Sequence, residues 1–226
     1  MTTAFVSHSG GLDSTAALLL AVEKHGAQNV VAVGIDYGQR HGRSELSAAT
    51  TIRDMMGVRS ATIDLKGMVK GSSLLGEGDV PHGHYAEESM SATVVSGRNL
   101  MFVSGLVGMA QAGDEVWLGV HGGDHFIYPD CRPSFAGPLG EAIAAAYDIT
   151  LVTPFIEGDK TTVASTFGSG DARLIATTWS CYEGGDMHCG RCGTCVERLE
   201  AFELANVLDL TDYEDPNYWR EVVAAR

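Results

Sequence analysis

The stretch VSHSGGLDST, residues 6–15, decides the fold of this chain. It joins a short apolar run, residues 3–7, to an apolar segment that predicts a helix with Asp13 and Ser14 as its N-caps. Two adjacent glycines at such a strand-to-helix junction let backbone N–H groups approach a ligand closely. The helix dipole and the two serine hydroxyls of the loop would add to an anion site. A tight, capped turn that binds nothing explains the same residues equally well.

The chemistry of the loop differs from that of the common phosphate-binding loops. No Gly-Lys-Ser/Thr follows the glycines, as a P-loop requires, and the third glycine of the dinucleotide fingerprint is missing. Asp13 would repel a phosphate unless a Mg²⁺ ion lay between them. As an anion site, the loop therefore indicates a metal-bound phosphate or pyrophosphate.

The composition excludes several classes of protein. The chain has 226 residues, 45% of them hydrophobic, and a net charge of −14 from 15 basic and 29 acidic residues. A surface this acidic repels nucleic acid, so we expect no direct nucleic-acid partner. No apolar run is long enough to span a bilayer, and the N-terminus does not resemble a signal peptide. We therefore expect a cytoplasmic protein without membrane contact.

Strand and helix patterns alternate along the chain, which predicts a parallel sheet with helical crossovers. Five strands are expected, within residues 3–7, 29–38, 60–65, 114–121 and 149–155. Ligands of such sheets bind at the carboxyl ends of the strands, where four polar segments fall: residues 7–14, 36–41, 121–133 and 153–155. Residues 66–97 are weakly periodic and predict either a lid over the site or disorder. The acidic tail from Asp209 is expected to be a surface extension.

Four of the five cysteines predict a metal centre. Cys181, Cys189, Cys192 and Cys195 have the spacing C-x7-C-x2-C-x2-C, which lets thiolates face one tetrahedral ion. Zn²⁺ and an iron–sulfur cluster both fit, and zinc is favoured because nothing else suggests redox chemistry. We interpret the metal as a staple for a C-terminal segment, residues 177–226, on a nucleotide-binding domain of residues 1–176. His188 is interpreted as a bystander.

SGGLDS, residues 9–14, resembles the pyrophosphate-binding loop of the PP-loop ATP pyrophosphatases. The segments DYGQRH, GRNLMFVSGLVGMA, YPDCRP and TWSCYEGGDMHCGRCGTCVERLEAF are similar, in this order, to the 7-cyano-7-deazaguanine synthase family. The resemblance extends to about Asn206. It implies a Rossmann-like α/β fold of the adenine nucleotide alpha hydrolase type. That fold has a parallel five-stranded sheet with helices on both faces and a C-terminal helical zinc-binding segment.

The resemblance also implies a reaction. The family converts 7-carboxy-7-deazaguanine and ammonia to 7-cyano-7-deazaguanine with ATP, through an adenylated carboxylate and an adenylated amide, releasing AMP and diphosphate. ATP, Mg²⁺ and Zn²⁺ are the implied cofactors, and a homodimer is expected. No glutaminase segment is visible, so ammonia would be taken up free or from a partner. The use of the product in tRNA queuosine, DNA modification or a secondary metabolite stays open.

The same resemblance implies roles for individual residues. Asp13, Arg98 and Asp130 are the implied catalytic residues, although Arg98 could instead cap a helix or form an ion pair. ATP would be bound by Val6, Ser7, Ser9, Gly10, Gly11, Leu12, Asp13, Ser14, Asp36, Tyr37, Arg40, His41, Gly97 and Lys160, the last of which could equally be a surface lysine. The deazapurine would be bound by Asp124, Tyr128, Asp130, Cys131 and Arg132, with packing favoured over nucleophilic attack for Cys131.

Two residues depart from the family pattern. Ser96 stands where proline is usual, and Ser134 stands where an acidic residue is usual. If that acidic residue acts as a base, its loss would stop the reaction at the amide. Two other functions stay open. A nucleotide-binding module of defence type would keep the fold without turnover, and the intact loop argues against it. A tRNA-thiolating enzyme would need a basic face, which the charge of −14 does not supply.

Overall fold

The centre of the computed structural model, which describes residues 1–76, 78–123 and 127–225, is a parallel five-stranded sheet. Its strand order is β3-β2-β1-β4-β5, and all four neighbouring pairs run parallel. The strands are β1 Ala4–Ser7, β2 Val30–Asp36, β3 Arg59–Asp64, β4 Glu115–Trp117 and β5 Thr150–Val152. The predicted α/β class and the five strands are confirmed.

Helices cover both faces of this sheet, as predicted. The described helices are α1 Leu12–His25, α2 Gly42–Met56, α3 Arg98–Val107, α4 Pro133–Tyr147, α5 Lys160–Ala164, α6 Ala172–Thr177, α7 Gly193–Ala205 and α8 Tyr218–Ala224. One apolar core joins β1 to α1, α5, α6 and α7, and a second joins β2 and β4 to α3 and α4. Val6 and Ala32 face the first core while Val31 and Val33 face the second, which follows the two-residue period of a strand.

The strand order reverses beside β1, and this reversal positions the site. β1 leads along the chain to β2 on one side of the sheet, while its other neighbour is β4. The loops that follow β1 and β4 therefore leave in different directions and open a crevice at the carboxyl edge. Residues 8–11 follow β1 at this edge, and residues 118–123 follow β4.

The ends of several elements differ from the sequence prediction. Helix α1 begins at Leu12 with Gly11 at its N-cap, so Asp13 and Ser14 lie in the first turn instead of capping it. The long segment of residues 66–97 is anchored by the buried side chains of Leu74, Val80 and Met90 and contains two short 3₁₀ turns. The part of this segment that the structure describes is thus packed against the body of the protein.

The prediction that the tail from Asp209 is a surface extension is wrong. The carboxylate of Asp209 accepts two hydrogen bonds from the fully buried guanidinium of Arg198, at 3.0 and 3.1 Å. The hydroxyl of Tyr213 donates a third, at 2.8 Å, and Trp219 on α8 is buried. A buried arginine needs a nearby carboxylate, and this chain takes that carboxylate from the tail.

None of the described helices is both long and apolar enough to cross a membrane.

Candidate active site and metal centre

The main cavity opens at the carboxyl edge of the sheet, between the loop after β1, the start of α3 and the cysteine-rich segment. It brings together residues from eight separate segments of the chain, only some of which the sequence predicted to meet at this edge. Its described lining includes Ser7, Ser9, Gly11, Leu12, Asp13, Ser14, Ile35, Tyr37, Gln39, His41, Glu45, Arg98, Asn99, Phe102, Leu118, Gly119, Val120, Cys131, Lys160, Trp179, Ser180, Tyr182, Thr194 and Glu197.

The glycine loop is held from two sides. Gly10 has φ +87°, a conformation that favours glycine, and a Cβ there would lie 2.5 Å from the backbone nitrogen of Ala49. Only glycine lets the loop lie this close to α2. On the other side, the backbone N–H of Trp179 donates to the Gly10 carbonyl at 2.8 Å. The loop is therefore fixed both by α2 and by the segment that leads into the cysteines.

The two serines of the loop hold its shape. The hydroxyls of Ser9 and Ser14 lie 3.3 Å apart, and the backbone N–H of Gly11 donates to Ser9 Oγ at 3.2 Å. Ser14 in turn donates to the Gly11 carbonyl at 3.1 Å. Both hydroxyls line the cavity, where they can also reach a bound anion.

Asp13 lies in a buried cluster of charges. Lys160 Nζ is 2.8 Å from Asp13 Oδ2, 3.5 Å from Glu197 Oε2 and 3.4 Å from His121 Nε2. Burial works against ionisation of Asp13, but the charge of Lys160 outweighs it and holds the pKa of this carboxyl below its usual value. Burial, followed by the charge of Lys160, lowers the pKa of His121. The neutral imidazole can then accept a hydrogen bond from the lysine.

Arg98 begins α3 and faces a group of phenols. Its guanidinium carbon lies 6.0 Å from the centre of the Tyr128 ring, and Tyr37 and Tyr182 line the same cavity. Burial raises the pKa of Tyr37 to about 12, so this phenol stays neutral. Arg98 and Lys160 both line the cavity, which therefore offers two cations to a bound polyanion.

The carboxylate of Asp130 is hydrogen-bonded to the protein backbone. It accepts from the backbone N–H of Asn99 at 3.1 Å, at the start of α3. The Asn99 amide donates to the Asp130 carbonyl at 3.2 Å and lies 3.6 Å from Cys131 Sγ. Cys131 lines the main cavity, whereas Asp130 is not among its described lining residues. The YPDCRP segment thus contributes its cysteine to the cavity and its aspartate to a helix start.

The remaining predicted site residues are not among the described lining residues of this cavity. Val6 is buried within β1, Asp36 pairs with Lys66 at 2.6 Å, and Arg40 pairs with Glu183 at 3.5 Å. Gly97 is the N-cap of α3, with φ +71°. Arg132 is exposed at the N-cap of α4. Asp124 lies outside the described residues. The assignments of all these residues stay predictions.

The four cysteines form the candidate metal centre. The sulfurs of Cys181, Cys189, Cys192 and Cys195 lie within 4.8 Å of one another, and all four residues are buried. Backbone N–H groups donate to sulfur at two of them, from Cys189 to Cys181 at 3.4 Å and from Cys192 to Cys189 at 3.3 Å. Hydrogen bonds from the other three thiols lower the pKa of Cys189. This donor set suits a thiophilic metal ion.

Sequence reasoning missed several cavity residues that come from α2, α7 and the segments that precede these helices. Gln39 and Glu45 are hydrogen-bonded to each other at 2.8 Å, while Trp179, Thr194 and Glu197 come from the cysteine-rich region. The signal that could have found Glu197 is its place on the helix that begins in the cysteine cluster. Because the cysteines were interpreted as a remote staple, their neighbours were not assigned to the site.

The loop between β1 and α1 defines the class of protein. It lacks the lysine of a P-loop, and Asp13 lies in the first turn of α1. The chain is a PP-loop protein with an appended cluster of four cysteines that could hold a metal ion.

Comparison with known proteins narrows this class. The family described as "Queuosine biosynthesis protein QueC" matches residues 3–206. Proteins named 7-cyano-7-deazaguanine synthase are similar over nearly the whole chain. That of Paracoccus denitrificans is 46% identical over 227 residues, covering 96% of each chain. That of Ruegeria sp. is 48% identical with the same coverage, and that of Chelativorans sp. is 47% identical over 98% of each. The chain belongs to the QueC family.

Solved structures give a weaker likeness. An NMN synthetase from Francisella tularensis covers 97% of this chain and 84% of its own, with 14% identity and a TM-score of 0.45. A likeness of this size bears neither on mechanism nor on substrate.

Proposed function

We propose that this chain makes 7-cyano-7-deazaguanine from 7-carboxy-7-deazaguanine and ammonia, using two molecules of ATP. The observation that carries the proposal is the cavity itself, which is lined by the glycine loop, Asp13 and Lys160 together with Arg98 and Cys131. Proteins named for this product share 46–48% of their residues with the chain over almost its full length. The acidic surface, with a net charge of −14, argues against the tRNA-thiolating alternative.

The first half of the reaction makes an amide. A carboxylate oxygen of the substrate attacks the α-phosphorus of ATP, and the bond to the departing diphosphate breaks. The glycine loop, Ser9, Ser14 and Lys160 bind that diphosphate, and Arg98 stabilises charge on the α-phosphate. Ammonia then attacks the carbonyl carbon, AMP leaves with its electron pair, and a proton is lost from nitrogen. The protein supplies orientation and positive charge to both steps.

The second half repeats the activation on the amide. The amide oxygen attacks the α-phosphorus of a second ATP and diphosphate leaves again. Loss of two protons from nitrogen and departure of AMP with the carbon–oxygen electron pair leave the nitrile. One cavity can serve both halves because the leaving groups are the same.

The residues present fit the expected metals. Asp13 Oδ1 is buried and has no hydrogen-bond partner among the described residues, as expected of a carboxylate that binds a cation. Bound Mg²⁺ would neutralise charge on the diphosphate. In a tetrahedral Zn²⁺ site the sulfurs lie about 3.8 Å apart, and Cys189 and Cys195 are already separated by only 4.0 Å. We assign Zn²⁺ to the four cysteines as a structural ion.

The two departures from the family pattern bear on the final product. Ser134 is exposed in the first turn of α4 and is not among the described residues of the cavity wall. Ser96 is exposed just before α3. Their positions favour the full reaction over a stop at the amide. The homodimer, the cytoplasmic location and the domain division at residue 176 stay predictions.

Mass spectrometry of the products tests the proposal. The protein is incubated with 7-carboxy-7-deazaguanine, ammonium, ATP and Mg²⁺, and AMP is counted. Nitrile with two AMP per product is expected, and D13N should abolish both. Exposed Asp54 on α2 gives the control D54N, which should keep full activity. Amide with one AMP would mean a halted enzyme. No AMP would contradict the proposal and favour a binding module.

A further inference from the structure

Lys160 is a buried cation shared between two carboxylates. Its side chain is 9% exposed, and its ammonium lies 2.8 Å from Asp13 and 3.5 Å from Glu197. The Glu197 side chain is 6% exposed, and its other oxygen lies 3.9 Å from His121 Nε2. Two carboxylates around one lysine exceed what is needed for neutrality, so the second one requires an explanation.

The proposed function, on which this inference rests, supplies that explanation. When Mg²⁺ binds Asp13 Oδ1, which has no hydrogen-bond partner among the described residues, its charge weakens the attraction between Asp13 Oδ2 and Lys160. The lysine then needs a second carboxylate to keep its ammonium in place beside the diphosphate. Glu197 already lies within ion-pair distance of the lysine, so it can hold the ammonium when Asp13 is occupied.

The position of Glu197 is set by the metal centre. Helix α7 begins at Gly193 and carries Cys195, Glu197 and Arg198 in its first two turns. Arg198 is fully buried and donates to Thr178, Ser180 and Asp209. Cys195 faces the metal cluster while Glu197 lines the active-site cavity. The cysteine cluster and Arg198 thus fix the position of α7 along its axis and its rotation about that axis. Together they determine where Glu197 lies in the cavity.

We propose that Glu197 is a positioning residue, which holds the Lys160 ammonium in place for the diphosphate when Mg²⁺ occupies Asp13. In this view the metal centre is more than a staple, because it holds the second partner of the active-site lysine in place. The alternative is that Glu197 contributes only negative charge. In that case its removal would favour binding of an anion, which is the opposite outcome.

Titration calorimetry with Mg²⁺-diphosphate on the metal-loaded protein separates the two. For E197Q we expect affinity about tenfold weaker than that of the wild type, with the zinc content unchanged. E203Q is the matched control, because Glu203 lies on the same helix with 59% of its side chain exposed, and it should bind like the wild type. E197D keeps the charge but is shorter by one methylene, and we expect an intermediate loss. Unchanged or tighter binding by E197Q and E197D would overturn the proposal.

A double-mutant cycle with K160Q sharpens the result. If Glu197 acts through Lys160, adding E197Q to K160Q should weaken diphosphate binding by less than twofold further. Fully additive losses would overturn the proposal. Failure of the wild type to bind diphosphate or release AMP would instead reject the proposed function and this inference with it. If the wild type turns over its substrate and E197Q binds diphosphate as tightly as the wild type, only this inference is rejected.

Discussion

The ammonium of Lys160 and the carboxylate of Asp13 meet at 2.8 Å across 147 residues of sequence. Lys160 is the first residue of α5, which packs on both α1 and α7, and Asp13 lies in the first turn of α1. The pair therefore joins the start of the fold to its C-terminal half at the mouth of the cavity. Without Lys160, Asp13 would lose its close cation, and without Asp13, Lys160 would keep its longer contact of 3.5 Å with Glu197.

Lys160→Met is expected to lower AMP release by about a hundredfold or more, because a cation that stabilises departing diphosphate acts mainly in the transition state. The loss should be in kcat/KM for ATP, measured by coupled AMP detection. Lys24 is half exposed and pairs with Glu115 at 2.7 Å far from the cavity. The variant K24M should keep its activity. Equal activity of K160M and K24M would exclude Lys160 from the reaction.

Cys192→Ser is expected to lose the bound metal and to lower Tm, since structural zinc contributes directly to folding free energy. Metal content by mass spectrometry and thermal unfolding by circular dichroism measure both effects. Cys131 lies outside the cluster, so C131S should retain one metal per chain. If C192S keeps its metal, the tetrathiolate assignment is wrong.

Asp209→Asn should lower the free energy of unfolding by about 3 kcal/mol, because it leaves the buried Arg198 without its carboxylate. Burial works against the charge of Asp209, but Arg198 outweighs it and lowers the pKa of Asp209 to about 2. The stabilisation is therefore present above the ordinary value of 3.8 and is lost as pH falls through 2. Urea unfolding at pH 7 measures the loss, with D212N in the same tail as the control. A loss of under 1 kcal/mol would contradict a structural role for the tail.

The parallel sheet and its ligand edge could be predicted because both depend on local patterns. Apolar runs, N-caps and glycines mark each strand and helix, and the topology rule then places residues 7–14 and 36–41 at one edge. The cysteine cluster was equally visible, because metal ligands need a short, regular spacing.

The partners of the buried charges could not be predicted. Nothing local in the sequence tells that Asp209 will face Arg198 or that Glu197 will face Lys160. The first pair forms where the chain turns back on α7, 11 residues after Arg198, and the second forms where α7 packs on α5. The charge pattern of the tail is typical of a solvated surface, which explains why its prediction failed. The hydrogen bond between Asp130 and the start of α3 is also a contact between residues 31 positions apart, which no local pattern reveals.

His8 makes the stability of the protein depend on pH. Its side chain is 1% exposed, and Arg53 donates to its backbone carbonyl at 3.1 Å. Burial, with a smaller effect of Arg53, lowers the pKa of His8 from 6.5 to about 3. Between these values the unfolded chain binds a proton that the folded chain does not. Stability is therefore full above pH 6.5 and falls as the pH is lowered towards 3.

Titration of His8 should lower the free energy of unfolding by about 2 kcal/mol between pH 7.5 and pH 5. His8→Gln is expected to reduce the difference between urea unfolding at the two pH values by that amount. Exposed His82 gives the control H82Q, which should keep the wild-type difference. If H8Q keeps it as well, the folded and unfolded states take up the same proton at this position, and His8 must be charged inside the folded protein at pH 5. A charged His8 would be unfavourable in this buried position beside Arg53. The change in the free energy of unfolding between pH 7.5 and pH 5 therefore tests how the loop after β1 is packed.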